Sequence, residues 1–185
     1  MAGIHRGLKV PLAIYHGVPL GWRSHEVIEQ HAQLHPAHDL VVPDATEPAS
    51  PPWLSDRKEW LQYRATLYEV GRGVAAGDPA CIELAVRFIE LRYVGSYSGF
   101  IREKLARKLA NAQLTASQRS RLHRHFEKLV FAQERTQEFR AYAKLWRRII
   151  TSTQRTELLE RLKAQHGEEA AAWLAQKLGN QQPAA

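Results

Sequence analysis

From residue 55 onward, apolar positions recur at intervals that mix three and four, the spacing of one face of an α-helix. In SDRKEWLQYRATLYEVGRG the series runs through Trp60, Leu61, Leu67, Tyr68 and Gly71. The glycines from Gly71 to Gly77 are expected to close that helix. Further starts are marked by residues that satisfy free helix-end amides. Asp78-Pro79 offers a capping carboxylate before a proline suited to the first helical position. Thr115-x-x-Gln118 and Thr151-x-x-Gln154 are capping boxes, and Thr136 is the expected cap of QEFRAYAKLWRRII. Helices are thus predicted to start near residues 56, 79, 99, 116, 137, 153 and 168. Connections of a few residues make consecutive helices antiparallel, so the chain reads as all-α. The expected architecture is helical hairpins in a short HEAT- or armadillo-like array, with a compact bundle as its competitor.

The predicted helix from Pro79 is apolar over most of its circumference, with Cys81, Ile82, Leu84, Ala85, Val86, Phe88, Ile89 and Leu91, and belongs inside the core. It runs into GSYSG, residues 95–99. Helical phase survives across this stretch, yet each interior glycine costs roughly 1 kcal/mol relative to alanine. Gly95 suits a helix stop and Ser98 a cap, so a turn is favoured over one long helix. Amides freed near Ser98 and Gly99, beside Arg102 and Lys104, would make that turn an anion seat.

Ahead of these helices the pattern is weaker. LKVPLAIYHGVPL reads as two short extended pieces, and SHEVIEQHAQLH as a short helix over 25–35, capped at Ser24 and stopped by Pro36. Five of the nine prolines fall between His35 and Trp53, a composition that favours an extended linker. The expected organisation is an N-terminal arm and linker over 1–54, one helical domain over 55–179 and a frayed tail over 180–185.

Charge changes the picture by its position. Residues 92–148 carry 14 Lys or Arg against 4 Asp or Glu, whereas residues 1–91 carry 8 against 11 and residues 149–185 carry 4 against 4. On helical wheels, Lys104 and Arg107 point away from the apolar face of their helix. Arg121, Arg124 and Lys128 do so in the next, and Arg140, Lys144, Arg147 and Arg148 in the third. Merged, with Arg102 beside them, these faces would form one surface for a phosphate backbone, and outward Phe100 and Phe131 could stack on bases. Nucleic acid or a ribonucleoprotein is the first expected partner. An acidic protein, held by the helical array and the apolar arm of an adaptor, is the alternative.

The remaining chemistry is sparse. The lone Cys81 excludes a disulfide framework and a cysteine-based zinc site and fits a reducing compartment. His31 and His35, four apart on one helix face, are the candidate ligand pair, with His25, His38 or Asp39 as a third donor. HEVIE is not HExxH, however, and no metal or other cofactor is expected. His123 and His125 lie on opposite sides of an apolar stripe, and no nucleophile elbow, P-loop or base-reading motif occurs. The expected function is therefore non-enzymatic binding. No apolar run approaches the roughly 20 residues of a membrane span. The cytoplasm is the expected location; an organelle address is the alternative, since no acidic residue precedes Glu26.

Overall fold

A computed structural model describes residues 17–45, 55–91, 98–134, 136 and 138–179. Among them are eight α-helices and no strand: α1 Ser24–Leu34, α2 Ser55–Ala76, α3 Pro79–Glu90, α4 Ser98–Leu109, α5 Ala116–Phe131, α6 Phe139–Ile149, α7 Ser152–His166 and α8 Glu168–Leu178. The extended piece before Gly17, the proline-rich linker from residue 46 on, Gly95 and the tail lie outside the described residues.

Side-chain caps explain where three of the helices, α3, α5 and α7, begin. Asp78 Oδ1 accepts from the backbone amides of Ala80 (2.8 Å) and Cys81 (3.0 Å). Both capping boxes form, with Thr115 and Thr151 each accepting at 3.2 Å and the paired glutamines returning a 3.0 Å bond. Three details differ from the sequence expectations. Thr136 does not cap α6: its carbonyl accepts from Phe139 N–H, and the N-cap position is Glu138, whose side chain is turned to Arg102 instead. Ser24 is the first residue of α1 rather than its cap, because Glu26 reaches back to the Arg23 amide at 2.7 Å. The third is α2, which runs through Gly71 and Gly73 to Ala76.

Close packing is the reason for that third difference. A Cβ on Gly73 would overlap the Cys81 sulfur and lie 2.7 Å from Cys81 Cβ, and one on Gly71 would lie 3.4 Å from the Lys108 stem. These glycines let α3 and α4 approach α2, and the helix stops only at Gly77, where φ reaches +83°.

Helix α3 packs against α1, α2, α4 and α5. Cys81, Leu84, Ala85, Val86 and Phe88 are wholly buried. The Trp22 ring meets Phe88 edge-on at 4.8 Å, and Val27 is wholly buried, so α1 is built into the helical body. Contacts between helices two apart in sequence arrange the rest in two rows, α2–α4–α6–α8 and α1–α3–α5, with α7 folded back on α8. Helix α3 ends at Leu91, whose backbone is extended, and α4 starts afresh at Ser98, so the long-helix alternative for GSYSG is excluded.

Gly73→Ala is expected to lower stability by about 1–3 kcal/mol through overpacking. Cys81→Ala should recover part of that loss in the double variant, which urea unfolding of the four proteins in a cycle measures.

Candidate functional site

The row arrangement decides which basic residues can act together. Helices α4 and α6 are neighbours, and the end of α4 (Arg107, Ala110, Asn111) faces the end of α6 (Lys144, Arg147, Arg148) across an open groove of about 890 Å³. The two helices therefore point the same way. Gly71 of α2 lies beside Lys108 of α4, and Gly179 at the end of α8 lies beside Arg147, so all four helices of the row bring their C-termini to one edge. Aligned C-termini attract cations, and Arg107, Lys108, Arg147, Arg148 and Lys177 occupy the last turns.

Dipole compensation alone does not use up this charge. The C-termini of α4 and α6 contribute about half a negative charge each, against four cationic side chains lining the groove. An adjoining recess of about 670 Å³ shares Ala110 and Arg148 and adds Arg119 and Gln113. Among the described residues no carboxylate lines either space. Arg107 has a partner one turn back, Glu103, at a solvent-exposed site where ion pairs are worth little. Lys144, Arg147 and Arg148 are exposed.

The other residues singled out from the sequence are placed differently. Arg102 is 8 % exposed; its Nε and Nη2 donate to Glu138 Oε1 at 3.1 and 2.9 Å, and Nη1 to the Leu91 carbonyl at 3.4 Å. It is an internal tie between α4, α6 and the end of α3, not part of an outer surface. Arg121 is likewise turned inward to α3, where its guanidinium bridges Glu83 (2.7 Å) and Glu90 (3.1 Å from Nε). The Glu90 bonds raise its pKa further above the usual arginine range, against the opposing effect of burial. Burial pushes the Glu83 carboxyl up, but hydrogen bonds from Arg121, Gln118 and Arg87 together hold it below its usual value. Arg124 and Lys128 are exposed on α5, which belongs to the other row, so they do not extend the α4–α6 groove. Arg140 is exposed one turn before Lys144.

Of the two phenylalanines, Phe131 is half-buried against α7, with Arg161 over its ring at 5.1 Å and His166 at 6.0 Å. Phe100 is 45 % exposed, and Lys104 Nζ lies 4.5 Å from its ring centroid. The expected anion seat holds an anion from within the chain. A Cβ on Gly99 would lie 3.3 Å from Glu138 Oε2, so this carboxylate sits against the start of α4, and Ser98 is buried there. A third cavity, of about 430 Å³, touches this pair, with Ile89, Leu129, His125, Thr136 and Tyr142 in its wall. Burial, chiefly, raises the Tyr142 phenol above its usual pKa, which leaves it a poor proton donor.

No protein-family model, curated protein or solved structure matches this chain. Its chemistry is read from its own side chains.

The histidines divide as well. His35 stacks edge-on against His38 at 4.4 Å, while His31, 1 % exposed, bonds through Nε2 to Asp78 Oδ2 at 2.9 Å. The donors that come together are therefore His31, Asp78 and Cys81, all within 4.8 Å of one another. Asp78 was visible in the sequence only as a cap and Cys81 only as a core residue. These donors are of the type that holds zinc, but the state described here is hydrogen-bonded. Desolvation pushes the Asp78 carboxyl up, and the Cys81 and Ala80 amides and His31 bring it below its usual range. Burial, and then the Asp78 charge, push the Cys81 thiol up to about 12. A neutral buried thiol is a poor nucleophile. His31 Nδ1 is buried with no hydrogen-bond partner among the described residues.

Arg102→Ala, by leaving Glu138 buried and unpaired, is expected to cost about 3–5 kcal/mol of stability in urea unfolding. Glu83 and Asp78 titrate below their usual 4.5 and 3.8, so their contribution is present above those values and lost as the pH falls through the lower folded ones. The urea midpoint is expected to fall on acidification in that range, and less steeply in Glu83→Gln.

Proposed function

We propose that this protein is a non-enzymatic binding module that takes the phosphate backbone of a nucleic acid in the groove between α4 and α6. The observation that carries the reading is the lining of that groove, four cations with no carboxylate among the described residues. Such a groove favours a polyanion and releases its counterions on binding. The lone buried Cys81 fits work in a reducing compartment such as the cytoplasm. Among the described residues no helix is long and apolar enough to cross a membrane.

A second reading, an adaptor for an acidic protein, draws on Leu20 and Val41, which are 92 % and 78 % exposed at the N-terminal side of the body. Both readings use the same cations, and they separate by salt dependence and by competitor.

Anisotropy titration of a labelled oligonucleotide across a salt series tests the first. Affinity is expected to fall linearly on a log–log plot, and Lys144→Ala with Arg148→Ala to reduce the slope by about two. Arg147 is left intact because its guanidinium also meets the end of α8. Binding that ignores salt, or no binding at protein concentrations on the order of those that give non-specific association, overturns the reading.

A further inference from the structure

The groove continues along α4 as a stripe. Phe100, Lys104, Arg107 and Asn111 stand at i, i+4, i+7 and i+11, which places them within about 60° of one another around the helix. Arg107 and Asn111 line the groove, so Phe100 lies on the same face roughly 10 Å farther toward the helix start, at 1.5 Å per residue. There it is 45 % exposed.

Phe100 also belongs to a chain of alternating rings and cations that crosses from α2 to α4. Arg64 lies 5.0 Å from the Trp60 ring and 5.9 Å from Tyr68, and Lys104 lies 4.8 Å from Tyr68 and 4.5 Å from Phe100. Each ring is oriented by a neighbouring ammonium or guanidinium. The wheel gave Phe131 the same outward placement as Phe100, yet α7 covers Phe131 and leaves Phe100 at the surface beside the groove.

We propose that the ligand of this groove is single-stranded, its phosphates on Lys144, Arg147 and Arg148 and one of its bases stacked on Phe100. The inference rests on the nucleic-acid reading of the groove and narrows it. A duplex keeps its bases stacked inside and offers an exposed ring nothing to cover, whereas an open strand presents both phosphates and base faces. Lys104, on a flexible stem, can exchange the Phe100 ring for a phosphate when a base takes its place. Base stacking is sequence-tolerant, so RNA and DNA strands share the chemistry.

The test uses the full chain, with labelled single strands of about a dozen nucleotides as RNA and as DNA, the matching duplex, inorganic polyphosphate and a polyglutamate peptide. The single strands are expected to bind more tightly than the duplex and polyphosphate. Phe100→Ala should weaken them by roughly 5- to 150-fold with the salt slope unchanged, leave polyphosphate binding unaltered, and be reversed by Phe100→Trp. Preference for RNA over DNA, or the reverse, identifies the source of the strand. An unchanged single-strand affinity in Phe100→Ala, or equal affinity for the duplex, overturns the inference; the groove reading then stands if Lys144→Ala with Arg148→Ala still lowers the slope. No binding of any nucleic acid overturns both, and preferential capture of polyglutamate puts the acidic-protein reading in their place.

Discussion

Helix α3 has little surface that it can give to water. Cys81, Leu84, Ala85, Val86 and Phe88 point in different directions around it, and all are wholly buried, so neighbours must cover it on several sides. α1, α2, α4 and α5 do so. Each such burial is worth on the order of 1.5–3 kcal/mol per large side chain, which makes this helix the centre on which the other elements are assembled. Gly73 brings α2 within contact of Cys81, and Asp78 both caps α3 and receives His31 from α1. The carboxylates that remain on α3, Glu83 and Glu90, are answered by Arg121 of α5.

The arrangement of the basic edge follows from this. Covering α3 places α2 and α4 side by side in the same direction, and α6 and α8 continue the row. Four aligned helix ends then gather partial negative charge at one edge, and cations in the last turns of α4, α6 and α8 offset it. Between α4 and α6 the cations exceed what the two dipoles require. At the opposite edge Glu138 sits against the start of α4 and holds Arg102. The same dipole alignment thus collects an acid at one edge and bases at the other.

Much of the fold was legible in the sequence for local reasons. The Asp78 cap, the Thr115 and Thr151 capping boxes and the fully apolar pattern of α3 each depend on residues within a turn of one another, and each formed where expected. Gly71 and Gly73 misled because a glycine that ends a helix and a glycine that lets another helix approach look alike in sequence; only the Cys81 and Lys108 side chains distinguish them. Thr136 misled for a related reason, since the acid that would follow its cap was drawn to Arg102, thirty-six residues away in the chain.

The sequence by itself determined the helices, the caps at Asp78, Thr115 and Thr151, the burial of α3 and the concentration of positive charge in residues 92–148, because periodicity, capping and charge are properties of neighbouring residues. Tertiary structure alone decided which of those charges faces outward. Arg102 and Arg121 lie in the same basic segment as Arg107 and Arg148, yet a buried or half-buried guanidinium must be paired, and the carboxylates that pair them come from α3 and from the start of α6. It also separated Phe100 from Phe131, since exposure of a ring depends on whether another helix passes over it, and α7 passes over only one.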